Sequence, residues 1–107
     1  MLFRSCRQYR ENIEAARQAI GAPPVIDKVR VFFNHPDFIE ATSDRTANAL
    51  ARLPSEGRDS AHIAFTAHSI PMSMADNCQY AAQLNETARL VAERVGVPPD
   101  QIGRAHV

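Results

Sequence analysis

The sequence predicts an α/β protein in which a parallel sheet is flanked by helices, in the order helix, strand, helix, strand, helix. Three segments carry apolar residues at helical spacing, and two short runs rich in β-branched and aromatic residues alternate with them. The second run, residues 61–67, is nearly uncharged, which is typical of a central parallel strand that is buried on both faces.

The first helix is predicted to begin after Ser5, which acts as its N-cap, and to end at Gly21, where two prolines follow. Its apolar residues recur at helical period and form one stripe. The stripe consists of Tyr9, Ile13, Ala16 and Ile20. The next segment, residues 25–33, is predicted to be either a strand or an extended approach to the following turn, because it is rich in valine and phenylalanine.

The second helix is predicted over residues 36–53, with Pro36 at its first position and another proline after its end. After the second strand, Asp76 and Gln79 have the spacing of a capping box. The third helix is therefore predicted to start there and to end at Gly96, which suits a helix C-terminus.

The composition excludes several classes of protein. Basic and acidic residues number 12 each, so the formal net charge is zero, which excludes a strongly basic nucleic-acid-binding protein. No apolar run approaches the roughly 18 residues of a membrane span, and the N-terminus lacks the apolar core of a signal peptide. We therefore expect a cytoplasmic protein without a transmembrane segment, and peripheral membrane contact is left open.

The number of predicted strands indicates a partial domain. Two strands are too few for a sheet that three helices cover on both faces, because sheets average roughly five or six strands. We therefore expect the chain to be part of a longer α/β protein whose other strands lie elsewhere in the sequence.

His68 follows directly on the second predicted strand, and Ser69 and Pro71 come after it. Ligands of open α/β sheets bind outside the carboxyl ends of the strands. A histidine at this position can bind a metal or transfer a proton, because its unperturbed pKa lies at about 6.5. By position alone, a hydrogen bond from His68 to a neighbouring loop is an equal alternative.

Residues 65–71, Phe-Thr-Ala-His-Ser-Ile-Pro, resemble the signature segment of ferrochelatases, the enzymes that insert ferrous iron into a porphyrin. Residues 32–38 resemble the turn of that family in which an aromatic residue precedes a proline. Residues 83–93 resemble the helix that follows the signature. Residues 5–13 are similar to the actinobacterial branch of the family, which makes coproporphyrin-type haem precursors.

The resemblance covers nearly the whole chain, up to about Val97. It implies that residues 1–101 are the middle part of a two-lobed protein with a chelatase-like, Rossmann-like parallel sheet. Residues 102–107 do not resemble the family and are expected to be a non-native tail. We expect this chain to be inactive by itself, since half of the family's active site would lie outside it.

The resemblance also implies roles for three residues. His68 matches the signature histidine and is expected to be catalytic, as an iron ligand and proton acceptor. Tyr9 matches a tyrosine that lines the porphyrin pocket, although a core aromatic of the helix stripe is the alternative. Cys6 matches the single ligand that some members supply to a [2Fe–2S] cluster, which requires four thiolates. Cys78 is expected to pack as a small apolar residue.

Two other functions are open to this sequence. One is a tetrapyrrole chelatase of the same fold that uses cobalt or nickel, and the other is a non-catalytic α/β interaction module. The similarity of residues 5–13 to ferrochelatases favours ferrous iron as the metal substrate. The expected partner is therefore a porphyrin, either coproporphyrin III or protoporphyrin IX, and no nucleic acid is expected.

Overall fold

The structure is a computed structural model that describes the backbone of residues 4–106 and the side chains of residues 7–105. The helices are α1 (Arg4–Ala19), α2 (Pro36–Ala51), α3 (Ser55–Arg58), α4 (Met72–Ala75) and α5 (Tyr80–Val95). The strands are β1 (Ile63–Ala67) and β2 (Ile102–His106), and a 3₁₀ turn at Pro99–Gln101 precedes β2. No helix in the described range is long and apolar enough to cross a membrane.

The described residues form two compact units. The first unit contains residues 4–31 and 71–78, and it therefore holds α1 and α4. The second unit contains residues 32–70 and 79–106, and it therefore holds the two strands, α2, α3 and α5.

The strands β1 and β2 form a parallel sheet in which Ile63 is opposite Ile102 and Ala67 is opposite His106. Parallel strands need a crossover connection, and α5 supplies it. The Gln101 side-chain amide donates to a backbone carbonyl oxygen in the segment before β1 at 3.0 Å, so the entrances to the two strands are joined. The predicted α/β class is confirmed by this helix-flanked parallel pair.

The packing of α2 against α5 encloses the buried residues of the second unit. Ile39 and Ser43 contribute from α2, and Ala88, Val91 and Ala92 contribute from α5. The two alanines lie one turn apart and carry only a methyl group each, which lets the helices approach closely. The Ser43 hydroxyl is buried here and finds no hydrogen-bond partner among the described residues.

Hydrogen bonds hold the turn before α2. The amide of His35 donates to the carbonyl oxygen of Phe32 at 3.0 Å, and the amide of Asp37 donates to Nδ1 of His35 at 3.2 Å. The Thr87 hydroxyl on α5 donates to the carbonyl oxygen of Phe33 at 2.7 Å. The turn is thus bonded to both helices, and proline occupies the first position of α2 as predicted.

The end of α5 is predicted correctly, but its beginning is not. Gly96 has a φ of 81°, a left-handed conformation, and its amide donates to the carbonyl oxygen of Ala92. The predicted capping box from Asp76 to Gln79 is wrong, because Gln79 caps α5 without a side-chain hydrogen bond. Asp76 ends α4 in a right-handed helical conformation, so it cannot adopt the extended backbone of an N-cap.

Of the two alternatives for residues 25–33, the strand does not form. Residues 23–32 have no regular secondary structure, and Val25, Val29 and Val31 are exposed. A strand forms by hydrogen bonding to a neighbour, and within the described range only β1 and β2 pair. The β propensity of this segment is therefore not realised without a partner.

The first helix occupies nearly the predicted range, but its apolar stripe is not buried. It begins at Arg4, one residue before the predicted N-cap, and ends at Ala19. Tyr9, Ile13 and Ile20 are exposed on it. The helical period of the stripe is thus confirmed, whereas its predicted apolar side chains stay largely exposed.

The predicted non-native tail includes β2. Residues Ile102–His106 form this strand through backbone hydrogen bonds to β1. Such bonds are available to a segment of almost any sequence, because the backbone supplies them. The foreign origin of residues 102–107 therefore stays a prediction, and so does the boundary at residue 101.

We predict that Val91→Ala destabilises the protein by about 2 kcal/mol, because it removes fully buried methyl groups and leaves a cavity between α2 and α5. Urea unfolding of both forms measures the difference. Val29→Ala makes the same chemical change where the side chain is 83% exposed, and it should leave stability nearly unchanged. Equal effects of the two substitutions would contradict the assigned core.

We predict that the pKa of the Glu86 carboxyl lies below its ordinary value of 4.5, because the Arg89 guanidinium donates to it. A lowered folded-state pKa means that the pair stabilises the fold above pH 4.5 and that this contribution is lost as the pH falls through the folded-state pKa. In an NMR titration, Arg89→Gln should raise the Glu86 pKa. Arg94→Gln, which removes the partner of Glu40, should leave it unchanged.

Candidate active site

The signature segment spans the carboxyl end of β1. The strand ends at Ala67, and His68 and Ser69 follow it as exposed residues. Along β1, half-buried side chains alternate with exposed ones, so the predicted burial of this strand on both faces is not observed. The alternation is typical of a strand with one face toward a helix. The imidazole of His68 therefore lies at the end of a parallel strand, where α/β proteins bind ligands, and solvent reaches it.

The backbone at His68 is held by Tyr80, a residue that sequence reasoning missed. Tyr80 is the first residue of α5, and its hydroxyl donates to the carbonyl oxygen of His68 at 3.0 Å. The bond joins the helix to the loop from which the imidazole projects. No spacing rule connects two residues 12 positions apart across a loop and a short helix, so the sequence carried no signal for this contact.

A cavity of about 180 Å³ lies beside the signature segment, between the sheet and α5. Phe65 and Ala105 line it from the strands, and Leu84 and Asn85 line it from the helix. The cavity is mostly apolar, with a few polar groups, which is a common character of small-molecule sites. The cavity lies along β1, the strand that ends directly before His68.

Tyr9 lies in the first unit, on the exposed apolar stripe of α1. Its side chain is 70% exposed, so Tyr9 is not a core residue of the described structure. It lines an open groove of about 650 Å³ between α1 and residues 26–29, together with Ile13 and Val29. This volume falls within the range of about 300–1,000 Å³ that is usual for ligand sites. His68 belongs to the other unit.

The described side chains contain no group of three or more His, Cys, Asp or Glu residues that could hold a metal ion. The side chain of Cys6 lies outside the described ones. Cys78 is a free, half-buried thiol whose sulfur lies 4.0 Å from the carbonyl oxygen of Ala75. The whole sequence has two cysteines, whereas a [2Fe–2S] cluster needs four thiolates, so this chain alone does not fit such a cluster.

The other described histidines are separate from His68. His62 precedes β1 and lines a groove with α2 residues such as Leu50. The whole of β1 therefore separates His62 from His68. His35 caps α2. His68 is thus the single histidine among the described side chains that lies at a carboxyl end of the sheet.

Comparisons with known proteins agree with the signature. The sequence model of the family described as ferrochelatase matches residues 3–105. The chain is 50% identical over 95 residues to the ferrochelatase of Rhodopirellula baltica, covering 88% of this chain and 27% of that protein. It is 44% identical over 107 residues to the coproporphyrin III ferrochelatase of Streptomyces coelicolor, covering 87% of this chain and 28% of the relative.

A further relative is the coproporphyrin III ferrochelatase of Nocardia farcinica, which is 44% identical over 103 residues, covering 88% of this chain and 29% of the relative. The chain thus spans less than a third of the length of the curated relatives it matches. The family match includes α1 with Tyr9, the strand β1 and the signature segment with His68. The chain therefore belongs to the ferrochelatase family.

Proposed function

We propose that the complete protein containing this chain inserts ferrous iron into coproporphyrin III during haem biosynthesis, with His68 as iron ligand and proton acceptor. The observation that carries the proposal is the exposed imidazole of His68 directly after a parallel strand, within the family signature. Fold analogy alone would not support a catalytic role, because a fold hosts many functions, whereas a suitably placed imidazole has the required chemistry.

The chemistry of insertion requires a base close to the macrocycle. A metal-free porphyrin carries two pyrrole N–H groups, and both protons leave as Fe²⁺ enters. The product core is neutral because the charge of the iron replaces that of the protons. A neutral imidazole at His68 accepts a pyrrole proton within hydrogen-bond distance and passes it to solvent, to which this residue is exposed.

Ferrous iron is the metal substrate of the proposed reaction. Imidazole is a suitable ligand for Fe²⁺, so His68 can also hold the ion before transfer. An imidazole that binds the iron cannot accept a proton at the same nitrogen. A neutral imidazole has one nitrogen with a free lone pair, and its other nitrogen already carries a proton. The two roles of His68 therefore belong to successive moments of the reaction.

The porphyrin substrate is proposed from the names of the relatives, and the residue that contacts it is proposed from the structure of the first unit. The Streptomyces and Nocardia relatives are named coproporphyrin III ferrochelatases, which supports that substrate over protoporphyrin IX. Tyr9 is the proposed porphyrin contact, since its ring is exposed in an apolar groove. An aromatic side chain stacks well on the flat face of a macrocycle.

A [2Fe–2S] cluster is proposed for the complete protein, with Cys6 as its one ligand from this chain. The other three thiolates would have to come from cysteines outside this chain, because four are needed. No step of the proposed reaction uses the cluster.

We predict that His68→Ala in the complete protein lowers the rate of ferrous-iron insertion by about 10²–10⁴-fold, the usual contribution of a general base. The rate is measured as metalloporphyrin absorbance in anaerobic solution. His62→Ala is the matched control, because that histidine lies at the opposite end of β1, and it should retain the rate. Equal rates for His68→Ala and the unmodified protein would refute the role of His68. Faster insertion of Co²⁺ or Ni²⁺ than of Fe²⁺ would identify another chelatase.

We predict that Tyr80→Phe lowers kcat by about fivefold, which corresponds to one lost hydrogen bond of about 1 kcal/mol. The substitution keeps the aromatic ring and removes the hydroxyl that donates to the carbonyl oxygen of His68. The pH profile of kcat should keep its shape, because Tyr80 positions the loop without exchanging the proton. An unchanged kcat would show that the bond does not position His68.

A further inference from the structure

The groove beside Tyr9 combines an apolar floor with charged residues. Tyr9, Ile13, Ile26 and Val29 supply its large apolar side chains, and Arg10 lies next to Tyr9 on α1. Three cationic side chains and one carboxylate line the groove. The cations are Arg10, Arg17 and Lys28, and the carboxylate is Asp27.

Two of these cations have no partner among the described side chains. Within the described residues, Arg10 and Lys28 form no ion pair and no side-chain hydrogen bond. The other two arginines of α1 with described side chains, Arg7 and Arg17, each pair with a glutamate. Glu14, one turn after Arg10, instead pairs with Arg17 at 3.7 Å and accepts from Gln18. The charges of Arg10 and Lys28 are therefore available at the groove for an anionic ligand.

We infer that Arg10 and Lys28 bind the peripheral carboxylates of the porphyrin and are specificity-determining residues. The inference rests on the proposed function and deepens it, because it names the residues that select the same porphyrin substrate by its charge. The occupant is a flat, apolar molecule with carboxylates at its edge, which matches an apolar floor with unpaired cations beside it. Arginine suits this role because its planar guanidinium binds a carboxylate through two parallel hydrogen bonds.

The cations select for the number of carboxylates on the porphyrin. Coproporphyrin III carries more propionate groups than protoporphyrin IX, which has vinyl groups at the other positions. Each additional carboxylate that contacts one of these two cations adds electrostatic attraction between porphyrin and protein. Because the groove is open to solvent, salt screens this attraction. Arg10 and Lys28 therefore favour the more highly charged porphyrin and act on binding rather than on the pyrrole protons.

The experiment uses the complete protein with Arg10→Gln, Lys28→Gln and both together. Binding of metal-free coproporphyrin III is titrated by fluorescence at low and high salt, and its methyl ester is titrated in detergent micelles. We expect each single substitution to raise Kd for the free acid by about fivefold. The methyl ester should bind the variants and the unmodified protein equally. In iron insertion, KM should rise while kcat is retained, because the contact is the same in the ground and transition states.

Arg7→Gln is the matched control. Arg7 lies on the same helix but pairs with Glu11 at 2.8 Å and does not line the groove, so its loss should leave Kd unchanged. Unaltered binding of the free acid by the double variant would overturn the inference, while iron insertion by the unmodified protein would still support the proposed function. If the unmodified protein inserts iron into no porphyrin, the proposed function fails, and the inference fails with it.

Discussion

The contact between α2 and α5 is the constraint on which the second unit depends. Val91 is fully enclosed there, and the methyl groups of Ala88 and Ala92 let α2 come close. Because α5 is also the crossover between the two strands, its position on α2 decides where β1 and β2 lie. A cavity at Val91 would therefore loosen the sheet as well as the helix pair, and with it the segment that follows β1.

The candidate site obtains its geometry from the same helix. Tyr80 starts α5, and its bond to the carbonyl oxygen of His68 extends the rigidity of the helix to the loop after β1. A general base must meet its proton at hydrogen-bond distance, so a restrained backbone supports the proposed chemistry. The exposure of His68 serves a second purpose, since an accepted proton has a direct route to solvent.

The charged residues of α1 fall into two groups with different consequences. Arg7 pairs with Glu11 one turn away, which satisfies the charge locally and adds modestly to helix stability. Arg10 and Lys28 lack such partners in the described structure and lie at an apolar groove beside Tyr9. The zero net charge of the chain conceals this difference, because composition counts charges without showing which of them are paired.

The sequence by itself determined the two packed helices, the strand β1, the left-handed end of α5 at Gly96 and the position of His68 after β1. These features follow from local periodicity and backbone preference, which a short stretch of residues carries alone. Only the tertiary structure decided that residues 25–33 remain unpaired, that the stripe with Tyr9 is exposed and that Tyr80 reaches the signature loop. The physical reason is that each depends on whether a distant part of the chain supplies a partner, and no local pattern contains that information.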